Sequence, residues 1–228
     1  MDFPDFEERV GYTFKNKDLL VRALTHSSYA NETHQDNGPS NERLEFLGDA
    51  VLETVISEYL YKHFPAMPEG ELTGLRASVV CEGVLVNKAR ELCIGKYLLL
   101  GKGEEHTGGR NKNSILADAF EAVAGAVFVD GGYIKAKKFL TALLSAEINE
   151  KRGVYKTGDY KSYLQEICQK NDAAHVKYQI IGAAGPDHDK VFTAQAVFKN
   201  RVIGEGTGRT KKEAEQRAAF EALQKLKL

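Results

Sequence analysis

Apolar residues recur every three or four positions through the first 150 residues, a spacing that predicts helix after helix. The period and its flanking breakers place helices over Phe3–Val10, Lys17–Thr25, Asn41–His63, Glu69–Cys93, Ser114–Phe128 and Tyr133–Asn149. Ser40 is placed to cap the third, Pro68 stands just before the fourth, and "DGGY" ends the fifth. No alternation of period two competes before residue 150. This part reads as an all-α domain.

The pattern then changes. "KRGVYKTG", residues 151–158, is short, polar and glycine-bearing, the composition of a linker. "DYKSYLQEICQK" has the period of a three-turn helix. "VKYQIIGAAG", "VFTAQAVFKN" and "RVIGEGTG" read as strands, parted by "PDHD" and by a tight turn at Lys199–Asn200. "TKKEAEQRAAFEALQKL" closes the chain as an amphipathic helix. The expected architecture is two domains: an all-α domain over 1–150, then an α-β-β-β-α domain over 159–228.

Charge sharpens that division. The whole chain carries a net of −1, with 31 basic and 32 acidic residues. Residues 1–150 hold 16 basic against 23 acidic side chains, a net of −7, whereas residues 151–228 hold 15 against 9, a net of +6. An acidic body suits cations and a basic tail suits a polyanion. The acidic start "MDFPDFEERVGYTF" lacks the apolar stretch of a secretory signal. No apolar run reaches the ~18 residues that span a bilayer, so no membrane partner is expected. Cys81, Cys93 and Cys168 cannot all pair and have no zinc spacing, which points to thiols in a reducing cytoplasm.

The predicted helix from Asn41 carries an oddity. Glu42, Glu45 and Asp49 fall within ~60° of arc, so all three carboxylates point one way. Three acids at helical spacing also describe a solvated face, but Phe46, Leu47 and Ala50 leave little polar surface beside them. "NSILADAFEAVAGAVFVDGGY" repeats the oddity, with Asp118 and Glu121 on one face and no other charge before Asp130. Two such helices facing each other would share a hard cation, because crowded carboxylates otherwise raise each other's pKa. Mg²⁺, with Mn²⁺ as a substitute, fits an all-oxygen set that contains no histidine. Glu69 is a further candidate.

"GEGTGRT" invites comparison with a phosphate loop, but Ile203 stands where the spacing needs glycine and Arg209 where it needs lysine. The dinucleotide fingerprint fails at position 209 too. These glycines read as a strand-to-helix turn, and no nucleotide cofactor is expected.

"NERLEFLGDAVLE" resembles the signature of the ribonuclease III family, "SILADAFEA" resembles its second acidic motif, and "PEGELTGLRASVV" fits the segment between them. The resemblance runs from about Phe6 to the C-terminus. It implies that Glu45, Asp49, Asp118 and Glu121 hold divalent metal, with Asp49 and Glu121 indispensable for the cut. Glu42 and Glu69 match outer acids that help to place RNA and release product. It further implies metal-assisted hydrolysis of double-stranded RNA to 5′-phosphate and 3′-hydroxyl ends, in the maturation of ribosomal RNA precursors and structured messages. A homodimer is implied as well, with Phe46 as an aromatic knob entering the partner's pocket; spacing alone describes an ordinary core Phe.

The tail, ending in "GRTKKEAEQRAA", resembles a double-stranded RNA-binding domain. Such domains read A-form shape through minor-groove hydroxyls and phosphates. Ser162, Gln165 and Glu166 match minor-groove contacts, His188 the tip of a groove-entering loop, and Lys211 and Lys212 phosphate contacts. Glu215 departs from the pattern, standing where many such domains carry a third basic residue, and predicts a weaker phosphate grip. Two other classes compete: a duplex-binding protein that does not cut, from which these acids would be missing, and a hydrolase of small phosphate esters, which has no need of the tail.

Overall fold

The computed structural model describes residues 4–33, 39–171, 174–186 and 190–225. Its contacts divide the chain into two units, one of residues 1–66 and 80–146, the other of residues 67–79 and 147–228. No helix among the described residues is long and apolar enough to cross a membrane.

The first unit is all helical. Its elements are α1 (Pro4–Val10), α2 (Lys17–Ala23), α3 (Ser27–Thr33), α4 (Glu42–His63), α6 (Glu82–Glu91), α7 (Ile94–Tyr97), α8 (Lys102–His106), α9 (Asn113–Gly131) and the start of α10 (Tyr133–Thr157). A 3-10 turn at Gly109–Asn111 leads into α9. α9 is the axis of the core, buried almost without interruption from Ile115 to Val127, and it packs against α4, α6 and α2. Phe6, Leu20, Leu24, Leu52, Ile56, Leu60 and Leu140 are fully buried in this core, as is α9's own Phe120. α9 stops at Gly132, whose φ of 77° needs glycine and whose N–H reaches Phe128 O.

Ser40 does not cap α4. The cap position is Asn41, buried and without a side-chain bond to the helix. Its N–H donates to Thr25 O (2.8 Å), and its own carbonyl receives Leu44 N and Glu45 N. Ser40 Oγ instead donates to Glu42 Oε2 (2.9 Å). The single helix expected over Glu69–Cys93 is two, α5 (Glu69–Val79) and α6, because Cys81 turns extended (ψ 154°) and restarts the ladder by accepting from Val84 N and Leu85 N.

The second unit holds a three-stranded antiparallel sheet, β1 (Lys177–Ala184), β2 (Val191–Phe198) and β3 (Arg201–Gly208), in the order β1-β2-β3. α11 (Tyr160–Asn171) and α12 (Lys211–Lys225) close its core. That core is built from Leu164, Cys168, Val176, Ala194, Ala196 and Leu223 with the alanines of α12. Lys199 and Asn200, both at positive φ, make the expected tight turn. The glycines of "GEGTG" are strand residues rather than a turn. A methyl group on Gly204 or Gly206 would come within 2.3 Å of Ala218 backbone atoms, so their bareness lets α12 lie on the sheet. α5 belongs to this unit, where Gln224 Nε2 donates to Gly70 O (3.2 Å).

Residues 151–157, expected as linker, continue α10. Lys151 Nζ pairs with Glu147 one turn back (3.2 Å) and donates to Tyr163 Oη (2.9 Å), and the helix gives out only before Gly158, at φ 65°.

Candidate active site and RNA-binding surface

The two acid-bearing segments are neighbours, and two glycines bring them together. A methyl group on Gly48 of α4 would lie 1.8 Å from Glu121 O of α9, and one on Gly125 would lie 2.2 Å from Leu44 O. Backbone therefore meets backbone where the helices cross. Glycine in a helix interior costs up to ~1 kcal/mol relative to alanine; here it offsets that cost by permitting the approach. Each glycine has an acid beside it, Asp49 in the next position and Glu121 one turn before Gly125. Sequence reading passed over both glycines, although their place inside apolar helices was the visible signal.

The crossing gathers the acids. Carboxylate oxygens of Glu45, Asp118 and Glu121 lie within 4.8 Å of one another, and all three side chains are half-buried. Asp49 is exposed at the rim, with its charge acting on both Glu45 and Glu121. Glu42, also exposed, is held by Ser40 and bears on Glu45. Glu69 belongs to the other unit, where it accepts from Thr73 Oγ1 (2.9 Å).

Crowding and burial move these groups together. Burial, then Asp49, Glu45 and Asp118, push Glu121 up to about 8. Glu45 is raised by burial and then by Asp118, Glu42 and Asp49. Asp118 is raised chiefly by burial, with His26 opposing and Glu82 adding to the rise. His26 and Glu82 stand outside the acidic motifs, and sequence reading gave neither a role. His26 Nδ1 lies 2.8 Å from Ser28 Oγ, which also receives Gly101 N (3.0 Å). Oxygen-only donors that disfavour their own ionisation fit a hard divalent cation, which would relieve the repulsion.

In the second unit, Asp159 starts α11 by accepting Ser162 N at Oδ1 (3.3 Å). Ser162 and Glu166 are exposed one turn apart on that helix. Gln165 is turned inward: its Oε1 accepts Val176 N (2.9 Å), and its Nε2 is buried with no partner among the described residues. Lys211 and Lys212 open α12 and are exposed. Thr210 Oγ1 accepts Glu213 N (3.1 Å) while Glu213 Oε2 accepts Arg209 N (2.9 Å), two bonds that fix this end of the helix. His188 lies outside the described residues. Phe46 projects from α4 with 81% of its surface exposed.

Comparison with known proteins agrees with this arrangement. Residues 16–148 match the family model described as "Ribonuclease-III-like", and residues 160–226 match "Double-stranded RNA binding motif". A Bacillus cereus protein named "Ribonuclease 3" is 50% identical over 99% of this chain and 91% of its own length. A Bacillus anthracis protein of the same name is 49% identical over the same shares. A solved nuclease domain of ribonuclease III from Campylobacter jejuni, described for flexibility in a region involved in dimer formation, covers 64% of this chain and 97% of its own. It does so at 41% identity and a TM-score of 0.59. With an acid-lined helix crossing in one unit and a duplex-RNA-binding fold in the other, the chain belongs to the ribonuclease III family and is a double-stranded-RNA endoribonuclease.

Proposed function

We propose that this chain cuts both strands of duplex RNA with Mg²⁺ held by Glu45, Asp49, Asp118 and Glu121, Mn²⁺ serving in its place. The products would carry 5′-phosphate and 3′-hydroxyl ends. The observation that carries the reading is the meeting of Glu45, Asp118 and Glu121 oxygens within 4.8 Å. When bound, a divalent ion lowers the pKa of water and neutralises charge on the phosphodiester. The chain's own work is to hold that charge in place. Glu45 from α4 and Asp118 and Glu121 from α9 converge, and exposed Asp49 adds its charge beside them. Glu42, steadied by Ser40, helps to place the strand.

One acid cluster serves one strand, so a second copy of the chain would serve the other. Phe46, Ala50, Thr54 and Tyr61 are exposed along ~80° of arc on α4, an apolar-rich stripe suited to a partner of the same kind. Ser162 and Glu166 are assigned to the minor groove, and Lys211 and Lys212 to phosphates. Precursors of ribosomal RNA and structured messages are the proposed substrates. The cytoplasm is the proposed compartment, in keeping with three cysteines that lack any paired or zinc spacing.

The test is a cleavage gel of labelled duplex RNA, single-stranded RNA and duplex DNA, each with Mg²⁺, Ca²⁺ or chelator. Discrete cutting of duplex RNA alone, with Mg²⁺ alone, is expected. An intact but shifted duplex under every condition would leave a binding protein in place of the nuclease.

A further inference from the structure

Glu215 sits badly with simple electrostatics, since a carboxylate near the phosphate-facing end of α12 should repel RNA. Its contacts give it another part. Glu215 Oε2 pairs with Lys161 Nζ at 2.6 Å, both side chains half-buried. The next residue joins in: Gln216 Oε1 accepts Lys161 N (2.9 Å), and Gln216 Nε2 donates to Asp159 Oδ1 (3.4 Å). That same Asp159 oxygen accepts Ser162 N. The Lys161 ammonium also lies 4.5 Å from the centre of the Tyr178 ring, which pins it from the sheet side. Two consecutive residues of α12 thus grip the first turn of α11 by side chain and by backbone.

We propose that Glu215 is a positioning residue: with Gln216 it clasps Lys161 and so sets the spacing between the RNA-facing residues of α11 and the lysines that open α12. The proposal rests on the RNA surface assigned above. A domain that reads duplex shape must hold its minor-groove helix and its phosphate contacts at a set separation. The clasp joins the two helices that carry them, beside Ser162 on one and one turn beyond Lys211 on the other. Lys161 is consumed by the clasp and is no phosphate ligand itself.

The experiment measures affinity of the full chain, with chelator present, for a duplex RNA of about 22 base pairs, longer than the roughly 16 such a domain spans. It is repeated across a range of salt. Electrostatics alone predicts tighter binding by Glu215→Ala. The clasp predicts weaker binding, by about fivefold, with the slope of log K against log salt unchanged because no phosphate contact is lost. The charge swap Lys161→Glu with Glu215→Lys restores the pair and should return affinity to within about twofold of wild type. Lys211→Ala with Lys212→Ala should lower the slope by about two. Equal or tighter binding by Glu215→Ala overturns the clasp while the RNA surface stands. An unchanged slope in the double lysine variant overturns the RNA surface, and the clasp's purpose with it. Should circular dichroism show Glu215→Ala unfolded, the swap decides: folded and binding as wild type supports the clasp, folded and weak overturns it.

Discussion

At the scale of single residues the site is organised around Glu121. In the folded chain its carboxyl is pushed up to about 8 from 4.5, by burial and then by Asp49, Glu45 and Asp118. Between those values the folded state holds a proton that the unfolded chain has released. Without metal, this group therefore costs stability as pH rises from 4.5 towards 8. Glu121→Gln keeps the shape and removes the titration. In chelator at pH 8.5 its melting point should exceed that of wild type by about 2–4 °C, a figure already reduced for the side chain's partial exposure, and the two should converge at pH 5. With Mg²⁺ the order should reverse, since only wild type gains from binding the ion, and cutting should be lost while RNA binding persists. Equal melting points in chelator would show that no buried charge is held there. The acids themselves were legible in the sequence, because helical spacing places them on one face whatever surrounds them. Gln165 was not so legible. Resemblance matched it to a minor-groove contact, whereas its Oε1 accepts Val176 N and the side chain turns inward.

At the scale of elements, the spacing of apolar residues found α4, α9 and the order α11-β1-β2-β3-α12. It missed what depends on local backbone rather than period. No composition signal marks the extended turn at Cys81, so one predicted helix proved to be two. Residues 151–157 looked like a linker by composition, yet Lys151 has Glu147 one turn back and Tyr163 within reach, and the helix continues. The glycines were the largest loss of meaning. Those of β3 suggested a turn, and their actual service is to admit α12. Gly48→Ala tests the other pair. With Glu121 O 1.8 Å from the new methyl group, the helices must part, at an expected cost of about 1–3 kcal/mol. A titration of Mn²⁺ by calorimetry should show at least tenfold weaker binding, the result of spreading the donor oxygens. Unaltered binding would mean that the acids do not depend on the crossing.

At the scale of the whole molecule, the acidic first part and the basic second part divide the work, as the charge count of the two halves already indicated. A dimer is implied only by resemblance, because a lone Phe at position 46 has the spacing of a core residue. The structure leaves that ring 81% exposed. Phe46→Ala should shift a sedimentation profile from dimer towards monomer and slow the cutting of both strands together, and a profile identical to wild type would count against the knob. The helix crossing has a consequence for heredity. A library of random substitutions scored for lost cleavage should return residues 48 and 125 beside Asp49 and Glu121, although neither glycine has a functional group to lose. The target for inactivating mutations is thus wider than the chemistry, and part of it lies where two backbones leave no room for a side chain.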